Sequence, residues 1–157
     1  MGYFEIVLSV SSVLLGFGLS SAYAWLKNLK KAKYISVVML REIRLNIRSL
    51  EEELSVADSY LGGALPRCVE SLGLVEIAGR LDDSIFRESF DSCRFDIPLL
   101  GLVSAEAVFV FYESAQTQPK SLREIERWAG NIRHGLIKDI IGELISKAKS
   151  AEQAILR

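Results

Sequence analysis

Apolar residues follow different rules in the first two dozen residues of this chain and in the rest. From Tyr3 to Leu26 the sequence reads YFEIVLSVSSVLLGFGLSSAYAWL, apolar on nearly every side, with Glu5 as its one acidic or basic residue. About 20 such residues cross a ~30 Å hydrocarbon core, so the pattern predicts a single N-terminal transmembrane helix over residues 1–26. Lys27, Lys30, Lys31 and Lys33 follow at once as a membrane-interface basic cluster. The loop-charge rule then places the N-terminus outside and residues 27–157 in the cytoplasm, with Tyr23 and Trp25 at the headgroups. Ala22-Tyr23-Ala24 also has the small-x-small form of a secretory cleavage site, which would free a domain beginning at Trp25. Glu5 ahead of the apolar run and the lysines behind it oppose that alternative.

Within the apolar segment, Ser9, Ser12, Gly16, Ser20 and Ala24 recur every three or four residues, continuing from Glu5. Such a stripe of small side chains occupies one helix face and lets a second helix approach closely, so it is the expected association face.

From Tyr34 the pattern becomes amphipathic. Leu40, Ile43, Ile47, Leu50, Leu54, Ala57 and Leu61 form one stripe, while Arg41, Glu42, Arg44, Arg48, Glu51, Glu52, Glu53 and Asp58 fall on the other faces. A helix over about 30–61 follows, ended by Gly62-Gly63, and nothing between Leu26 and Tyr34 separates it from the first segment. Gly62, Gly63, Pro66, Gly73 and Gly79 predict a loop with short helical turns over 62–83. A short helix is expected from Asp83 or Ser84 to Arg94, and a buried one over about 98–116. The VFVFY run would also suit a strand, but it has no second strand to pair with. TQPK at 117–120 reads as a turn, and Ser121 with Glu124 as the capping box that opens a last long helix. The predicted fold class is all-α: a single N-terminal transmembrane helix followed by an antiparallel helical bundle.

Composition narrows the function more than it defines it. The 157 residues are 50% hydrophobic and 25% charged, with 19 Lys+Arg against 20 Asp+Glu, a balance that argues against a nucleic-acid partner. Two cysteines and one histidine exclude a disulfide scaffold and a multi-histidine metal centre. His134 stands beside Arg133 on a charged stretch, as surface histidines do. Asp82, Asp83, Glu88, Asp91 and Asp96 lack the spacing and turn glycine of a calcium loop. Cys68 and Cys93 have no neighbours at zinc spacing, and Gly62-Gly63 lacks the Lys-Ser/Thr of a phosphate loop. Phe109, Phe111, Tyr112 and Trp128 read as core before they read as a ligand pocket. No catalytic residue, metal or cofactor is expected, and the chain is not expected to be an enzyme.

Leu40-Arg41-Glu42-Ile43 with Asn46, the Leu99-Leu100-Gly101-Leu102 turn and Phe111-Tyr112 ahead of a long final helix carry a resemblance. In layout the chain resembles a loosely defined group of small bacterial single-pass inner-membrane proteins with a helical cytoplasmic domain. The resemblance implies a bacterial inner membrane and supplies no catalytic or binding residues. Together these readings predict a non-enzymatic, membrane-anchored interaction or scaffold subunit. Its expected partners are the lipid bilayer and either a second copy or another protein. The alternative is a membrane-perturbing, toxin-like module of a defence system.

Overall fold

One uninterrupted helix, α1 (Tyr3–Leu61), joins the apolar segment to the amphipathic one. At 1.5 Å per residue its 59 residues extend about 90 Å. The computed structural model describes the backbone of residues 3–61, 76–77, 79–81, 83–129 and 134–157. It describes the side chains of residues 10–59, 76–77, 79–81, 83–119 and 136–157. After α1 come a helical turn at Ile77 and Leu81, the short α2 (Glu88–Cys93), a 3-10 turn (Ile97–Leu100), α3 (Leu102–Ala129) and α4 (His134–Leu156). No strand occurs among the described residues.

The ion pairs set the helix directions. Arg44–Glu152 at 2.6 Å, Glu51–Lys149 at 2.8 Å and Asp58–Lys138 at 2.5 Å run in opposite order along α1 and α4, so the two are antiparallel. α3 is likewise antiparallel to α4, because the Ser104 hydroxyl donates to the Ala154 carbonyl at 2.7 Å and Lys147 Nζ to Ser114 Oγ at 2.8 Å. The Ser104 contact also satisfies one of the last carbonyls of α4, which have no partner within their own helix.

Between these helices lies one apolar core. Ile35, Met39, Ile43, Ile47, Leu50 and Ala57 from α1 meet Val108, Phe111 and Ala115 from α3 and Ile137, Ile141, Leu144 and Ala148 from α4. Ile77, Leu81, Ile85 and Ile97, from the segment between α1 and α3, belong to the same core. The all-α bundle read from the sequence is therefore the architecture of the body, and Leu40, expected in the stripe, is only half-buried.

Several expectations need correction. Among the described residues, no helix is long and apolar enough to cross a membrane. Between Val10 and Lys27 the apolar residues are diluted by Ser11, Ser12, Gly16, Gly18, Ser20 and Ser21, which lowers the mean hydropathy of that described stretch. The transmembrane helix over 1–26, the single-pass topology, the inner-membrane location and the bilayer as partner all rested on such a span. They are overturned with it, and so is the membrane-perturbing alternative.

TQPK does not end a helix either, since α3 passes through it with Pro119 inside. Proline cannot donate to the carbonyl four residues back, which here belongs to Ala115. Arg87 Nη2 takes that place, donating to the Ala115 carbonyl at 2.8 Å. With this acceptor satisfied from outside, the helix continues, and Ser121 and Glu124 stand within it rather than at its start.

The helix expected over 98–116 is divided instead. Gly101 adopts φ +92° and ψ 158°, a conformation open to little but glycine, between the 3-10 turn and α3.

Candidate functional site

Behind the core stripe of α1 lies a buried polar network absent from the sequence reading. Glu42, expected on a face other than the apolar stripe, is only 4% exposed, and Asn46 is fully buried. Their spacing explains this. Ile35, Met39, Glu42, Asn46 and Leu50 recur at helical intervals, so both polar residues belong to the inward face.

Each has a structural task. Glu42 accepts the Ser89 N–H at 2.5 Å and the Phe90 N–H at 3.1 Å, the second and third residues of α2. Arg87 precedes that helix and offers no side-chain cap. A carboxylate from α1 thus does the work that an N-cap residue does within a chain segment. Asn46 pairs with Phe86 through both amide groups, Oδ1 accepting the Phe86 N–H at 2.6 Å and Nδ2 donating to its carbonyl at 2.9 Å. Tyr112 from α3 donates its hydroxyl to Glu42 Oε1 at 2.5 Å. Burial first, then the adjoining Glu42, push the Tyr112 hydroxyl far above the ordinary tyrosine value, so it stays a donor and is no base.

On the solvent side of this network, α2 and α3 enclose a cleft of about 510 Å³. Its floor is aromatic, with Phe90 stacked on Tyr112 at 4.2 Å between centroids and edge-on to Phe109 at 5.8 Å. Arg87, Arg94, Asp91 and Glu113 stand around it, two charges of each sign, which offset one another. Glu42 is turned inward onto three donors and is not among the residues that line the cleft.

The sequence-predicted residues lie elsewhere. Ser12, Gly16, Ser20 and Ala24 are all exposed along the first half of α1, and the side chain of Ser9 lies outside the described residues. A Cβ on Gly16 would meet nothing within 4 Å. Lys27, Lys30, Lys31 and Lys33 are exposed as well, and Lys31 pairs with Asp96 at 2.7 Å, which ties that lysine to the bundle rather than to a membrane surface. Around the same helix half, large apolar side chains stand in solvent on every side, among them Leu15 at 68%, Phe17 at 74%, Tyr23 at 71% and Trp25 at 62% exposure.

Among the described residues no three acidic, histidine or cysteine side chains gather as a metal site. Asp96 of the acidic cluster pairs with Lys31. Cys93 is a half-buried free thiol. The side chains of Cys68, Asp82, Trp128 and His134 lie outside the described residues. Of the four aromatics singled out, Phe111 is core, and Phe109 and Tyr112 face the cleft.

No protein-family model, curated protein or solved structure matches this chain. The resemblance to single-pass inner-membrane proteins therefore has no support from known sequences, and the absence of a spanning helix among the described residues contradicts it.

Proposed function

We propose that the chain is a non-enzymatic interaction subunit whose helical body holds out the first half of α1 as an arm for self-association. One observation carries this reading. From Val10 to Leu29 the helix exposes ten large hydrophobic side chains all round its circumference, where a surface helix ordinarily shows one apolar stripe. Their exposed area is on the order of 1,000 Å², comparable with the ~800 Å² that one partner contributes to a specific interface and above the usual apolar patch of a monomer. Ser12, Gly16, Ser20 and Ala24 give this arm a narrow face, along which an identical helix can approach closely.

Sedimentation velocity on the full chain tests the proposal. Association that strengthens with concentration and weakens in Gly16→Leu and Ser20→Leu is the expected result. A strictly monomeric protein at every concentration, or one held only by a different protein or by lipid, contradicts it.

A further inference from the structure

The second half of α1 has an outer face of its own, directly opposite the core stripe. Val37 is 61% exposed, Leu45 40% and Val56 36%, and Arg41, Arg48 and Glu52 alternate with them at intervals of three and four residues. A groove of about 480 Å³ runs along part of this face between Val37 and Arg48. Charges on the flank toward α4 are already matched, Arg44 with Glu152 and Glu51 with Lys149. Among the described residues, Arg41, Arg48 and Glu52 have no ion pair.

We infer that this outer face binds the same face of a second copy, with the two α1 helices antiparallel. A two-fold axis crossing α1 midway between Leu45 and Arg48 sets each residue against the one equally distant from it. Arg41 then meets the second copy's Glu52, and Val37 its Val56. Leu45 lies under the aliphatic stem of the second copy's Arg48, so the apolar and charged positions all find complements at one register. A parallel pair instead brings Arg41 onto Arg41 and Arg48 onto Arg48, which like-charge repulsion disfavours. The inference extends the proposed self-association to a surface separate from the apolar arm, and it rests on that reading only in taking the partner to be this chain.

Charge reversal on the full chain tests both the face and the direction. Arg41→Glu alone or Glu52→Arg alone places like charges opposite each other twice per dimer and is expected to raise the dimer Kd about tenfold, in line with exposed ion pairs lost and reversed. Mixing the two single variants restores both attractive pairs, so the mixture is expected to associate as tightly as the unaltered protein. The double variant Arg41→Glu/Glu52→Arg regains affinity by itself. Each protein is followed by sedimentation equilibrium at low salt, with circular dichroism to verify that it is folded. Singles that associate as well as the unaltered chain, or a mixture no tighter than its components, overturn the antiparallel pairing. If association then still falls in Gly16→Leu, the arm proposal stands without it; a chain that is monomeric throughout removes both.

Discussion

The two halves of α1 share one backbone and differ in what covers them. Beyond Ile35, the stripe formed by Met39, Ile43, Ile47 and Leu50 is buried against α3 and α4, and its two polar members are satisfied by the segment from Phe86 to Phe90. Before Tyr34, side chains of equal hydrophobicity project into solvent in all directions. Helical continuity comes from local propensity, because no proline or glycine pair interrupts the chain between Leu19 and Leu61. Tertiary cover comes only where an amphipathic pattern meets other elements. The buried stripe of the second half therefore answers to stability, while the first half is left uncovered, as the proposed association requires.

Substitutions in the body break this contrast from the stability side. Glu42→Ala has the largest expected effect. It leaves the Ser89 and Phe90 N–H groups and the Tyr112 hydroxyl without their acceptor, at a cost of about 3 kcal/mol by urea denaturation. Gly101→Ala follows at about 2 kcal/mol, since φ +92° is strained for any residue with a Cβ even though the space beside it is open.

The Tyr112 hydroxyl supplies a dependence on pH whose sign is fixed. Its folded-state value lies above the ordinary ~10, so above pH 10 the unfolded chain releases a proton that the folded chain retains. Stability is then fully present below that pH and falls by up to about 1.4 kcal/mol per pH unit above it. Alkaline unfolding curves should show this slope reduced in Tyr112→Phe, and an equal slope in the variant would disprove the assignment.

Smaller effects sharpen the comparison. Lys149→Ala removes a pair in which both side chains are about half exposed, and it should cost no more than ~0.5 kcal/mol. Gly16→Leu should cost no stability at all, because its Cβ meets nothing, while still weakening association. A fall in melting temperature in that variant would show that the arm packs on the body.

The bundle was legible because the α1 stripe is long and regular: Ile43, Ile47 and Leu50 are all buried as their spacing requires. Glu42 and Asn46 were not, because their residue types suit a solvent face, although their spacing from Met39 and Leu50 puts them on the buried one. Pro119 misled for a different reason. A helix passes through a proline only if something distant supplies the missing donor, and Arg87 lies too far back in the sequence to be read as that donor. The first segment reads as a span by its apolar content, whereas serines and glycines dilute that content over the described stretch from Val10 to Leu26.

Trp25, exposed on the arm, reports most directly on whether that surface becomes covered. In a Trp128→Phe background, its fluorescence is followed against protein concentration in detergent-free buffer, together with acrylamide quenching. The account predicts a blue shift and loss of quenching as the protein associates, both reversed by Gly16→Leu. Emission and quenching that stay constant over the whole concentration range, or shielding that arises only when phospholipid vesicles are added, would contradict it.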